Sequence, residues 1–310
     1  MTVVTITVLV PDEEGVAALA GLDGVRAISY DGMRPDRPLP PDAAEAEVLV
    51  PGFLVPIDPA SFVDRMPGLR LIQLMTTGAE TWIGRVPDRI LLSTARGAHG
   101  GSTAEWALGM LIAVYRELIP FEQARQARDW RRRATDTLQD KRVLVLGAGD
   151  LGRRMRRRLE ACDATATLVG TRAREGVHGI DELPALLGEH DAVVLMVPLT
   201  DATTGLVDAE FLARMPDGAV LVNAARGKVV DTDALLSELT AGRLRAALDV
   251  TEPEPLPPDH PLWTAPGLLL TPHVAGSVYD YSKRAYAVVA AEIARYAAGE
   301  EPENLVHGDY

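Results

Sequence analysis

The chain has 310 residues, which suits two domains of ordinary size, and 47% of them are hydrophobic, ample for buried cores. A formal net charge of -13 excludes nucleic acid and anionic membrane as natural partners, because both demand a basic face. The one cysteine, Cys162, excludes an internal disulfide framework and fits a reducing compartment.

The N-terminus, MTVVTITVLVPDEEG, lacks the basic start and long apolar core of a signal peptide. No stretch reaches the length needed to span a bilayer, so the cytoplasm is the expected compartment. Residues 2–10 predict a first strand, and 46–50 and 69–74 two more, separated by short helical or loop pieces rich in Asp, Pro and Gly. From Ser102 the pattern changes. Ser102 followed by Glu105 reads as a capping box, and residues 104–118, AEWALGMLIAVYREL, are apolar on nearly every side. That predicts a helix buried all round, at a domain or subunit interface. After the arginine-rich 123–141 come alternating units: strands at 143–147, 165–170, 192–197, 219–223, 244–249 and 268–271, with helices at 151–161, 182–188, near 208–214 and at 232–241. Alternation of this length makes a doubly wound parallel sheet. A last helix, 281–298, lies beyond that sheet and is expected to return to the first domain.

The strand at 143 breaks into VLVLGAGDLG, with Gly147, Gly149 and Gly152 around Asp150 and Leu151. Such glycines let a backbone turn tightly and lie close to a dinucleotide pyrophosphate at the start of the following helix. In that helix Leu151, Met155 and Leu159 fall one turn apart and face the sheet, while Arg153, Arg154, Arg156, Arg157 and Arg158 read as a solvated basic face. The next strand ends in VGTRAR. The position where a carboxylate would hold the ribose 2′-hydroxyl of NAD falls at Gly170, and Thr171, Arg172 and Arg174 follow. With no carboxylate to repel a 2′-phosphate and guanidinium groups at hand, NADP(H) is the expected cofactor and NAD(H) a usable one. Val197, Pro198 and Ala225, just beyond later strands, are assigned to the same cofactor site.

Three further strand ends each carry a candidate: VNAARGKVVD supplies Arg226, ALDVTEPEP supplies Asp249 and Glu254, and LTPHVAGS supplies His273. Strand C-termini are where ligands bind in an open parallel sheet. Reducing a carbonyl with a nicotinamide hydride also needs a proton for the forming alkoxide. Histidine is the side chain that exchanges protons near neutrality, a carboxylate beside it pairs with its imidazolium form, and an arginine both binds a carboxylate and polarises a carbonyl. The few histidines are scattered without ligand spacing, so no metal site is expected.

On these motifs the chain, from about residue 69 onward, resembles the D-isomer-specific 2-hydroxyacid dehydrogenases. The resemblance implies two Rossmann-like/flavodoxin-like α/β lobes, with a cofactor lobe, 99–280, inserted into a discontinuous substrate-binding lobe, 1–98 and 281–310. It implies that Arg226 clamps the substrate carboxylate and carbonyl, that His273 is the acid/base with Glu254 as its partner, and that Asp249 stands beside the nicotinamide. Thr77, Gly78 and Ala79 match the loop whose backbone N–H groups hold the substrate carboxylate. A homodimer joined through the 104–118 helix is expected, with Trp130 reaching across as a tryptophan does in some relatives.

Some positions depart from the pattern. Thr94 stands where many members have Asn, and His99-Gly100-Gly101 is an unusual approach to the following helix. Trp82, Phe53, Met75 and Tyr279 are candidates for the wall around the substrate side chain, though the ordinary reading of each is core or interface. The expected activity is therefore an NADP-preferring reductase of a small 2-oxo acid such as glyoxylate or hydroxypyruvate. Two rivals remain: a dinucleotide-sensing, corepressor-like binding protein without turnover, and a methyltransferase, which has no use for the arginine, glutamate and histidine.

Overall fold

The computed structural model describes residues 5–53, 55 and 58–307. The chain divides into two compact units, Met1–His99 with Tyr279–Tyr310, and Gly100–Val278. Each is an α/β layer around a parallel sheet.

In the first unit β1 (Ile6–Val10), β2 (Val25–Ser29), β3 (Val48–Leu49), β4 (Leu71–Gln73) and β5 (Leu91–Ser93) lie in the order β2-β1-β3-β4-β5, and every pair is parallel. Alternate side chains go to opposite faces, as the pleat requires. Val8, Val10, Leu71 and Met75 pack with Ala285, Tyr286, Val289 and Ile293 of the C-terminal helix, Tyr281–Ala297. Leu9, Leu49, Ile72 and Leu74 face the other way, onto Phe62, Met66 and Trp82. The last helix thus packs within this unit. Of the strand predicted at 2–10, residues 2–4 lie outside the described residues. The strands β2 and β5 have no counterpart in the sequence reading: both are sheet edges, β2 has no buried residue, and β5 is only three residues long. Helix α1 (Glu13–Leu19) begins at Asp12, whose carboxylate accepts from the Gly15 N–H at 2.8 Å and from the Tyr286 hydroxyl at 2.7 Å, tying the two helices together. Helix α2 spans Pro59–Arg65.

The second unit opens with α3 (Gly100–Tyr115) and α4 (Leu118–Gln126). The capping-box expectation fails here: α3 starts two residues before Ser102, which therefore sits inside the first turn. The helix predicted to run to 118 is also split, because Glu117 takes a left-handed φ of 50°. Nor is α3 buried all round. Ala104, Ala107, Leu111 and Val114 are buried in the core, whereas Glu105 and Gly109 are exposed.

Then come β6 (Arg142–Leu146), α5 (Asp150–Glu160), β7 (Thr165–Gly170), β8 (His178–Gly179), α6 (Leu183–Leu186), β9 (Ala192–Leu195), α7 (Ala209–Arg214), β10 (Val220–Asn223), α8 (Thr232–Thr240), β11 (Arg245–Leu248) and β12 (Leu268–Leu270). The sheet order is β12-β11-β10-β9-β6-β7-β8. One face meets α3 and α5 through Ala107, Leu111, Met155 and Leu159; the other meets α7 and α8 through Phe211, Leu212, Leu235 and Leu239. The helix expected at 182–188 is one turn of α-helix between two 3₁₀ turns. The chain leaves β6 toward β7 and β8, then returns to β9 on the other side. The order therefore reverses between β6 and β9, which is where a doubly wound sheet opens a crevice at its strand C-termini.

Candidate functional site

The reversal point is lined by glycine. Gly147, directly after β6, has φ 110°, and a Cβ there would stand 2.3 Å from the Met196 carbonyl oxygen that follows β9. A Cβ on Gly152 would fall 1.8 Å from the Gly147 carbonyl oxygen. Both contacts are with backbone, so neither position admits a side chain. Gly149, the residue before α5, has nothing within 4 Å of its missing Cβ. The loop is thus closed from below and open above. The first N–H groups of α5, from Asp150, Leu151 and Gly152, belong to the turn whose donors have no intrahelical partner. This cradle fits the pyrophosphate of a dinucleotide, with Gly149 giving the close approach.

At the end of β7, Gly170 sits close under Arg174, whose Nη1 would lie 3.1 Å from a Cβ there. Arg174 Nη2 reaches the Ala148 carbonyl oxygen at 3.4 Å, and Arg153 Nη1 reaches the same oxygen at 3.3 Å. Two guanidinium groups therefore flank the glycine turn. Thr171 and Arg172 are exposed in the same loop. Beyond β9, the Pro198 carbonyl accepts from the Thr203 hydroxyl at 2.7 Å, which folds the Val197-Pro198 segment into a tight turn.

Three neighbouring strands carry the remaining candidates. The register pairs Asn223 with Leu248 and Leu248 with Leu270, so the turns after β10, β11 and β12 emerge side by side. After β10, the buried Asn223 side chain accepts from the Ala225 N–H at 3.0 Å and donates to the Arg226 carbonyl at 2.9 Å. That staple shapes the turn, and the Arg226 guanidinium folds back to the Ala225 carbonyl at 2.7 Å. Gly227 is obligatory, because a Cβ would lie 1.9 Å from the Thr251 carbonyl oxygen.

After β11, Asp249 is 3% exposed, and its carboxylate is used by the neighbouring turn. Its Oδ1 accepts from the Thr271 hydroxyl at 2.6 Å and the Val274 N–H at 2.9 Å, and its Oδ2 from the Ala275 N–H at 2.8 Å. The Asp249 carbonyl accepts the His273 N–H at 2.7 Å. These bonds hold His273 at a left-handed φ of 53°, a strained setting for a residue with a Cβ. His273 Nδ1 lies 2.6 Å from Glu254 Oε1, and both side chains keep solvent contact. Arg226, Asp249, Glu254 and His273 thus share one end of one sheet, with a direct bond between Glu254 and His273. Asn223 and Thr271 were not singled out from sequence; an Asn at a strand end two residues before the N–H it accepts is the signal that marks such a staple.

In the first unit, Thr77-Gly78-Ala79 follows β4. The Thr76 hydroxyl donates to the Gly78 carbonyl at 2.8 Å, and the Ala79 carbonyl accepts from Trp82 N–H at 2.8 Å. His99 Nε2 lies 2.8 Å from the Met75 carbonyl, and the Phe53 ring packs on both His99 and Tyr281. Burial lowers the pKa of His99. Of the side-chain wall candidates, Trp82 and Met75 are core residues, Phe53 belongs to this aromatic set, and Tyr279 is fully exposed. Thr94 is buried, its N–H donating to the Asn304 carbonyl at 3.1 Å. Among the described residues no helix is long and apolar enough to cross a membrane.

The fold has known counterparts. Residues 108–275 match the family described as D-isomer specific 2-hydroxyacid dehydrogenase, NAD binding domain. A glyoxylate reductase of Thermofilum pendens is 30% identical over 263 residues, covering 80% of this chain and 78% of that protein. The D-isomer specific 2-hydroxyacid dehydrogenase of Xanthobacter autotrophicus Py2, solved with NADPH and MES, is 31% identical, with a TM-score of 0.83 and 98% of each chain covered. An NADPH-dependent glyoxylate/hydroxypyruvate reductase of Sinorhizobium meliloti, solved with NADP and sulfate, gives 27% identity and a TM-score of 0.82 over 97% of this chain and 98% of the other. The fold and the match together make the chain an NAD(P)-dependent oxidoreductase. It belongs to the D-isomer-specific 2-hydroxyacid dehydrogenase family.

Proposed function

We propose that the chain is an NADP-preferring reductase of small 2-oxo acids of the glyoxylate or hydroxypyruvate kind, with His273 as the proton donor. The observation that carries this reading is the His273–Glu254 pair at 2.6 Å, beside the Arg226 turn at the same end of the sheet. With Nδ1 engaged by Glu254, the other ring nitrogen, Nε2, is the one left to serve a substrate. The nicotinamide, when bound, supplies the hydride. His273 Nε2–H gives its proton to the carbonyl oxygen as that oxygen gains charge, and Glu254 pairs with the imidazolium that precedes the transfer. Arg226 binds the carboxylate of the 2-oxo acid and polarises its carbonyl, and Thr77, Gly78 and Ala79 of the first unit are assigned to substrate binding through their backbone.

Residues 100–278 are the cofactor-binding part in this reading, and the first unit the substrate-binding part. Gly147, Gly149, Asp150, Leu151 and Gly152 hold the pyrophosphate. Thr171, Arg172 and Arg174 take the 2′-phosphate, and Val197, Pro198, Ala225 and Asp249 border the nicotinamide half. The relatives from T. pendens and S. meliloti support the substrate class, and the NADPH and NADP complexes of the solved relatives support the cofactor preference. The partly exposed outer side of α3, together with Leu118 at the start of α4 (50% exposed) and Trp130 beyond α4 (96% exposed), supports a homodimer. The unpaired Cys162 fits the reducing cytoplasm.

The test is consumption of NADPH and of NADH against glyoxylate, hydroxypyruvate, pyruvate and branched or aromatic 2-oxo acids. Faster turnover with NADPH on the small acids is expected. Equal or better use of NADH overturns the cofactor preference, and no reduction of any 2-oxo acid overturns the reaction.

A further inference from the structure

A negative charge stands in the place built to receive a negative ligand. Asp150 is the first residue of α5, in the glycine turn itself. The field of a helix N-terminus draws in any anion, and a carboxylate one residue inside it competes with a pyrophosphate for the same donors. Its own attraction to the turn is intramolecular, so the competition would be present at every cofactor concentration.

The structure turns that carboxylate aside. Arg154 Nε lies 2.8 Å from Asp150 Oδ1 and 2.9 Å from Oδ2, one helical turn on. The displaced carboxylate occupies space that Gly100 leaves vacant: a Cβ on Gly100 would stand 2.2 Å from Asp150 Oδ2 and 3.2 Å from Arg154 Cδ and Nε. Arg158 fixes the same corner, its Nη2 donating to the Gly101 carbonyl at 3.1 Å and its Nη1 to the Arg154 carbonyl at 3.1 Å. The two glycines that start α3 and two of the five arginines of α5 therefore form one device, and its content is a neutralised, parked carboxylate.

We infer that Arg154, seated in the space left by Gly100, is a positioning residue for cofactor binding: it holds the Asp150 carboxylate off the anion-receiving turn of α5. The inference rests on the dinucleotide reading of that turn and adds a residue that touches no cofactor atom. It also gives Arg154 and Arg158 a different task from the remaining arginines of the helix, of which Arg156 pairs with Glu160 on the outer surface.

Equilibrium titration of tryptophan fluorescence with NADPH, and separately with NADH, tests it on the full chain. Arg154→Ala frees the carboxylate, and the dissociation constants for both nucleotides should rise on the order of tenfold, by the scale of one unscreened charge a few ångströms away. The loss should shrink as salt is raised. Adding Asp150→Asn to Arg154→Ala removes the competitor and should bring both constants back to within about twofold of the parent. Circular dichroism on each variant tells charge from fraying: a folded Arg154→Ala protein that binds as tightly as the parent, or one whose loss is not rescued by Asp150→Asn, overturns the inference alone. A parent chain that binds neither nucleotide removes the dinucleotide reading, and this inference with it.

Discussion

In the seven-stranded sheet the residues proposed to do chemistry stand one to three positions beyond strand ends: Asp249 after Leu248, Arg226 after Asn223, His273 after Leu270. In the five-stranded sheet the segment after β4 carries Thr77, Gly78 and Ala79, which are proposed to act through backbone N–H groups. Both sheets are parallel, and both bury side chains on their two faces. The difference is in what a strand end must carry. Charge and proton exchange need particular side chains, so they leave residue types that can be read. Backbone donors need only a shape, which many sequences give.

The sharpest way to break this contrast is at His273. Replacing it by Ala should lower kcat by about 10²–10⁴, the share of a positioned general acid, while NADPH affinity measured by fluorescence changes little. Glu254→Gln should give a smaller loss of the same kind, because it leaves the ring in place without its carboxylate partner. A His273→Ala enzyme with unchanged kcat would mean that the second sheet's strand ends do not carry the proton.

The same contrast explains what could be read in advance. The glycine turn at 147–152, the Arg226, Glu254 and His273 segments and the alternating units of the second unit all follow from local patterns, since each buried parallel strand is a short apolar run between turns. The sheet-edge strands β2 and β5 were invisible, β2 because none of its residues is buried and β5 because it is only three residues long. The start of α3 was misplaced because Ser102 and Glu105 satisfy a local rule, whereas the true start is decided by Gly100 meeting Asp150, fifty residues away in sequence. The anchoring of the His273 turn on Asp249 was equally hidden, for it joins two strand ends that only the sheet register brings together.

A second test works on the first unit. Phe62 is fully buried beneath the sheet, with the Tyr30 ring edge-on at a centroid distance of 5.6 Å and the Arg65 guanidinium 4.7 Å from its centroid. Phe62→Ala should cost about 3–5 kcal/mol of stability, read from the denaturation midpoint. Protein that remains folded should bind NADPH as the parent does, because no nucleotide contact is assigned to this core. A large loss of affinity in the folded fraction would show that the first unit shapes the nucleotide site as well.

The smallest effect concerns protons. His99 is 8% exposed, and burial, the largest cause, lowers its pKa from the ordinary 6.5. A group whose pKa falls on folding binds more protons unfolded than folded in the window between the two values, so stability rises with pH there. The contribution is complete above the ordinary value of 6.5 and is lost as the pH falls through that value toward the lowered one. His190 in the second unit is also buried, with Nδ1 2.7 Å from the Leu186 carbonyl and Nε2 2.8 Å from the Thr167 hydroxyl, and its pKa moves the same way for the same reason. Melting temperatures measured from pH 5 to 8 should therefore fall toward acid in the parent. They should fall less steeply in His99→Gln, where an amide N–H can still meet the Met75 carbonyl and nothing titrates. If the two slopes coincide, the acid sensitivity belongs to the second unit and its His190, and the first unit's buried imidazole is held by packing without a proton-linked cost.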